Sequence, residues 1–171
     1  TIYEERNAEL YSSADLLLHV FEETAIIAES QRKEDSAEIG PAIAHFFGWL
    51  LAFCNGLEID LGKAVFSKYA GICPYCGREE NCVCISSEQK PDKWFENPDG
   101  GLPETLPEWQ SMFRRIYGRI NQVAGKQKVW LHVHEELGEI SRAFRLKEEQ
   151  SLKEELADIF AWLVAFCNLS G

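Results

Sequence analysis

Hydrophobic positions recur at steps of three and four along almost the whole of this 171-residue chain, and the strict apolar–polar alternation of a half-buried strand is nearly absent. That pattern predicts helices over 2–12, 14–32, 37–56 and 60–70, then over 106–123, 127–147 and 150–169. Gly40, Pro41 and Ser151 mark helix starts or loops. The expected fold class is therefore all-α.

The same pattern occurs twice. Shifting the chain by 113 residues pairs "LHVFEETAI" (18–26) with "LHVHEELGE" (131–139), and "AHFFGWLLAFCN" (44–55) with "ADIFAWLVAFCN" (157–168), without a gap between the blocks. Over 18–55 against 131–168, 15 of 38 positions are identical, so the halves read as copies of one helical unit. The implied organisation is a first copy at 1–70, an insert and linker at 71–105, and a second copy at 106–171. Trp49 and Trp162 match within apolar helices and read as core. Cys54 and Cys167 also match and read as buried, inert thiols.

Hydrophobic residues make up 46% of the chain, enough at this length for a core. The formal charge of −11 repels phosphate backbones and anionic lipid, so neither nucleic acid nor membrane is an expected partner. The longest apolar run, "FFGWLLAFC" at 46–54, is far short of the roughly 18 residues that span a bilayer. No signal-peptide pattern opens the chain, which does not itself begin with Met. The reading is a soluble, cytoplasmic protein.

Between the copies lies "CPYCGREENCVC", followed by a stretch rich in Pro, Gly and Asp. Cys73, Cys76, Cys82 and Cys84 have the short spacings with which four thiolates close a tetrahedral site around Zn²⁺. The alternatives are two disulfides or free thiols. A cytosolic setting disfavours disulfides. With all four ligands from protein, such a zinc would be structural.

Two pairs of acids stand at the edge of the apolar stripe of the second copy. Glu136 and Glu139 are three apart on one predicted helix, and Glu155 and Asp158 are three apart on the next, so each pair projects from one face. Antiparallel packing would make the four carboxylates converge, at a repulsive cost of several kcal/mol that a hard divalent cation removes. Oxygen-only ligands suit Mg²⁺ or Mn²⁺. The plainer alternative is a solvated, charged helix face.

"EELGE", followed after 15 residues by "ELAD", resembles the E-x-x-E…E-x-x-D signature of the MazG-like all-α nucleoside triphosphate pyrophosphohydrolases. "LLAFCNGLEIDLGKAVFSKY" in the first copy resembles the third and fourth helices of that family, and the likeness covers about 14–70 and 116–168. The resemblance implies that Glu136, Glu139, Glu155 and Asp158 ligate Mg²⁺ for hydrolysis of a nucleoside triphosphate to monophosphate and pyrophosphate. Glu135 would be a further ligand or the base that accepts the proton of water; its alternative is an exposed helix charge. Opposite Glu139, Glu155 and Asp158 stand Ile26, Ala42 and His45, while Glu23 matches Glu136, so the first copy has lost three of four acids. Ile26 and Ala42 fit a packed interior instead.

The family likeness further implies a four-helix-bundle-like pseudo-dimer with one working site, its nucleotide pocket walled by Asn55, Asp60, Lys68 and Tyr69, with Asn168 as the counterpart of Asn55. Lys68 would meet a phosphate, or else be an ordinary surface lysine. A homodimer of such pseudo-dimers is the assembly this arrangement allows. His19, Glu23 and His45 suggest a vestigial transition-metal site, against which stands local hydrogen bonding of helix-flank histidines. A competing functional class is an inactive nucleotide-binding or protein-interaction module. A third, RNA binding by the cysteine knuckle, is opposed by its acidic surroundings.

Overall fold

In a computed structural model, residues 4–84 and 101–171 are described. Residues 2 and 3 of the first predicted helix and most of the Pro, Gly and Asp-rich linker lie outside that range. Seven α-helices run through the described residues: α1 Glu4–Leu10, α2 Ser13–Lys33, α3 Ser36–Gly56, α4 Leu61–Tyr69, α5 Leu106–Ala124, α6 Lys126–Leu146 and α7 Glu149–Ser170. The class is all-α, as the periodicity predicts. Two compact units divide the chain at Leu61/Gly62, so α4 and the cysteine loop fall within the C-terminal one.

In the N-terminal unit α2 starts on a capping box, with Ser12 Oγ accepting the Asp15 amide at 3.3 Å and Asp15 Oδ2 accepting the Ser12 amide at 2.9 Å. It stops where Glu34 enters the left-handed region (φ 56°) and donates its N–H to the Gln31 and Ser30 carbonyls. Asp35 then caps α3 through the Ala37 amide at 3.2 Å. The two helices must fold back on each other across so short a link. Their apolar stripes meet: Leu16, Leu17, Val20 and Ile27 from α2, and Ala42, Phe46, Leu50 and Phe53 from α3, all buried.

The C-terminal unit repeats this construction. α6 begins and ends 113 positions after α2, and its terminal Lys147 (φ 59°) takes the same left-handed cap as Glu34. α6 and α7 share the most extensive packing in the unit, and α5 covers α7. Val133, Leu137 and Ile140 close against Leu156, Ile159 and Leu163, while Trp109, Phe113 and Ile116 bring α5 onto the pair. The two hairpins also carry the same surface cluster: His19 stacks on Trp49 at 4.1 Å, and His132 stacks on Trp162 at 4.2 Å.

Three sequence expectations need correction. Pro41 does not start α3 but lies inside it, where the lost hydrogen bond falls near the solvent-exposed N-terminal end of the helix. Ile26 is 44% exposed rather than packed inside, although Ala42 is buried as expected. Averaged over 20 residues, Ala37–Gly56 is apolar and long enough to cross a membrane by length and composition, which the uninterrupted run at 46–54 had hidden.

Gly48 is exposed in the middle of α3, with open space where a Cβ would stand, and its counterpart in α7 is Ala161. Gly48→Ala should therefore stabilise the chain by about 0.5–1 kcal/mol, read as a higher denaturant midpoint at unchanged slope.

Candidate functional site

The acids are positioned by the apolar residues beside them. Leu137, Ile140, Leu156 and Ile159 are almost wholly buried in the α6–α7 seam. Glu136, Glu139, Glu155 and Asp158 sit one position away along the helix surface, so packing the seam draws them together. Glu136, Glu155 and Asp158 each place a carboxylate oxygen within 4.8 Å of the other two. Glu139 is exposed and borders the cluster on the Glu155 side.

The fixed partners of this cluster come from two places, the end of α4 and the next turn of α7. Lys68 Nζ donates to Asp158 Oδ2 at 2.5 Å and the Tyr69 hydroxyl donates to Asp158 Oδ1 at 2.5 Å, so the end of α4 holds both oxygens of that carboxylate. Lys68 is buried, not a surface lysine, at 7% exposure. Trp162 Nε1 donates to Glu136 Oε1 at 3.2 Å from one turn along α7. His132 stacks on that indole and bonds Glu135 Oε2 through Nδ1 at 2.9 Å. Glu135 is thus exposed and tied to its own helix.

The other predicted pocket residues are distributed differently. Asn168 lies ten residues beyond Asp158 on α7, roughly 15 Å along the axis, where its side chain accepts from Arg114 at 2.9 Å and donates to the Gln110 carbonyl at 3.0 Å. Asn55 and Asp60 belong to the N-terminal unit, where both are exposed. In that unit His19 bonds Glu22 at 2.8 Å, the local pairing expected of a flank histidine. His45 is 3.9 Å from the buried Glu23, and among the described residues these groups form no three-ligand cluster.

Crowding of the acids shows in their proton affinity. Burial first, then Asp158, Glu155 and Glu139, push Glu136 up to about 9, with Lys68 opposing. Burial, Asp158 and Glu139 push Glu155 up to about 7. Burial and the Asp158 charge hold the Tyr69 hydroxyl well above the ordinary phenol range. Tyr75, from the cysteine loop, is pushed up to about 12 by burial and then by Asp158, which places it in the field of the same acids. At an effective dielectric of about 20, two carboxylates this close repel by roughly 3–4 kcal/mol. The oxygen-only donor set, and a repulsion that the single Lys68 ammonium only partly offsets, fit a hard divalent cation held by Glu136, Glu155 and Asp158, with Glu139 at the open side.

The cysteine loop forms a second cluster. Its sulfurs are separated by 3.4 Å (Cys73–Cys82), 3.7 Å (Cys76–Cys82) and 4.0 Å (Cys73–Cys84), far beyond the roughly 2.05 Å of a disulfide. Cys54 is buried as expected and its thiol is pushed up to about 12 by burial; Cys167 is half-buried.

Sequence reasoning missed Trp162 and Tyr75 as neighbours of the acids. The indole of Trp162 lies one turn after Asp158, a spacing that offered a signal. Nothing local in the sequence pointed Tyr75 toward residues more than sixty positions away.

Because both carboxyls are raised above the ordinary value of 4.5, the folded chain holds protons that the unfolded chain releases. Their contribution to stability is full below about pH 4.5 and is lost as pH rises through 7 and 9. Metal-free protein should melt at progressively lower temperature across that window, and Glu136→Gln should flatten the slope. Mg²⁺ should raise the melting temperature more at pH 8 than at pH 5. An identical slope in wild type and Glu136→Gln would contradict the assignment.

Residues 125–171, the α6–α7 hairpin, match the model of the MazG nucleotide pyrophosphohydrolase domain. No curated protein and no solved structure matches the chain.

Proposed function

We propose that this chain is a Mg²⁺- or Mn²⁺-dependent nucleotide pyrophosphohydrolase that cleaves a nucleoside triphosphate to monophosphate and pyrophosphate. The observation that carries the reading is the convergence of Glu136, Glu155 and Asp158 within the segment that matches the MazG domain. A bound divalent cation would neutralise phosphate charge and acidify an attacking water.

The chain's own groups have separate tasks in this reading. Glu136, Glu155 and Asp158 supply the charge that holds the cation, Glu139 completes the ligand set from the open side, and Trp162 fixes the orientation of Glu136. Tyr69 and Lys68 fix Asp158, and Lys68 brings a positive charge to the rim of the cluster. A proton-accepting role for Glu135 requires its bond to His132 to open.

We further read the two hairpins as copies of one ancestral unit, supported by equal helix offsets, equal left-handed caps and repeated His–Trp stacks. With Ile26, Ala42 and His45 in place of three acids, the first copy has no cation site of this kind.

One observation favours a second reading. Lys68 already neutralises Asp158, as it would in a binding module whose ammonium group has replaced a metal. A panel of canonical and modified nucleoside triphosphates with Mg²⁺ or Mn²⁺ separates the two. The enzyme reading expects pyrophosphate from wild type and at least about 100-fold less from Glu139→Gln and Glu155→Gln. Equal release by wild type and both variants rules out the proposed ligands, while intact nucleotide bound without turnover establishes the binding module.

A further inference from the structure

The cysteine loop and the acidic cluster are parts of one packed assembly, and each connection between them is visible. α4 ends at Tyr69, and Cys73 follows after only three residues. Cys73 and Cys82 are buried, at 0% and 2% exposure. Two backbone bonds close the turn between Cys73 and Arg78: Gly77 N–H to the Cys73 carbonyl at 2.8 Å, and Cys73 N–H to the Arg78 carbonyl at 2.8 Å. Gly77 needs its freedom here, since the turn sets it at φ 67°. The loop then docks on α5, where the Arg115 and Ile116 carbonyls accept the Asn81 and Cys82 amides at 3.0 and 2.7 Å.

From that dock Tyr117 leads to the acids. The half-buried Tyr117 of α5 interacts through its hydroxyl with the Cys73 sulfur, and its ring meets the Tyr69 ring edge-on at 6.2 Å. Tyr69 in turn donates to Asp158. Tyr75, inside the C-x-x-C turn, reaches the field of Asp158 and Glu136 directly. The Tyr69 ring also meets Phe113 of α5 at 5.4 Å, so the end of α4 is tied to α5 and α7 through Lys68 and Tyr69.

Four sulfurs around a zinc at about 2.3 Å form a tetrahedron with edges of about 3.8 Å. The observed separations of 3.4, 3.7 and 4.0 Å bracket that value. Without an ion, four thiols packed this closely with two of them fully buried satisfy one another poorly, whereas an ion turns them into one rigid cross-link. We propose that Cys73, Cys76, Cys82 and Cys84 bind one Zn²⁺, and that this ion holds the Lys68–Tyr69 end of α4 against Asp158 through Tyr117. Zinc is then a positioning device for the acidic site and takes no part in chemistry. The positioning half rests on the cation-site reading above; the zinc half does not.

The test uses the full chain purified without chelator. Metal analysis should give one zinc per chain in wild type and less than a tenth of that in Cys82→Ser, with the more exposed Cys76→Ser as a milder variant should Cys82→Ser fail to fold. Co²⁺ exchanged into wild type should show the thiolate charge-transfer bands of a four-sulfur tetrahedral site. Hydrogen exchange of residues 62–69 should speed up at least tenfold when zinc is stripped, and Mn²⁺ affinity at the acidic cluster should fall about tenfold. Tyr117→Phe should keep its zinc yet lose part of that Mn²⁺ affinity, which a merely structural metal would not produce.

Chains lacking zinc, or carrying disulfides after purification under reducing conditions, would overturn the metal site. Zinc removal that leaves exchange of 62–69 unchanged would overturn the positioning role. Absence of Mn²⁺ binding in zinc-loaded wild type would instead count against the acidic cation site, leaving metal content and exchange to decide the zinc proposal.

Discussion

Leu137, Ile140, Leu156 and Ile159 interlock in the α6–α7 seam, and the acids at 136, 139, 155 and 158 stand beside them. Each buried aliphatic side chain contributes roughly 1.5–3 kcal/mol, while each close carboxylate pair costs a comparable amount. Apolar packing is therefore what keeps like charges together in the absence of a cation. The elevated Glu136 and Glu155, and the pull of Asp158 toward Lys68 and Tyr69, are the visible effects of that conflict. A divalent cation would resolve the conflict with the packing left as it stands.

The N-terminal hairpin illustrates the same scaffold without the conflict. Its caps, helix lengths and His–Trp stack match those of the C-terminal hairpin. Where the acids would stand it has the buried Ala42, the exposed Ile26 and His45, and a single buried Glu23. One carboxylate can be housed by a hairpin seam with a histidine nearby. Three require more, and the C-terminal unit brings Lys68, Tyr69 and Trp162 to its acids.

Helix boundaries were legible because they depend on local signals. Ser12 with Asp15, and Thr105 with Glu108, are capping pairs that any chain carrying them would use. The left-handed caps at Glu34 and Lys147 were less visible, since neither is glycine; the need to reverse the chain between two long apolar stripes sets them. Pro41 reads locally as a helix start, yet its penalty is outweighed by the buried stripe of Ala42, Phe46, Leu50 and Phe53 that continues the helix through it.

By itself the sequence determined the all-α class, the paired acids on two successive helices and the four clustered cysteines, because each follows from spacing along a helix or within a short loop. Only the tertiary structure decided what those groups meet. It put the buried ammonium of Lys68 and the hydroxyl of Tyr69 on Asp158, turned Glu135 toward His132, and committed Asn168 to α5. The physical reason is range: caps and periodicity act over three or four residues, whereas those partners are set by how the helices pack, with up to ninety positions of chain between them.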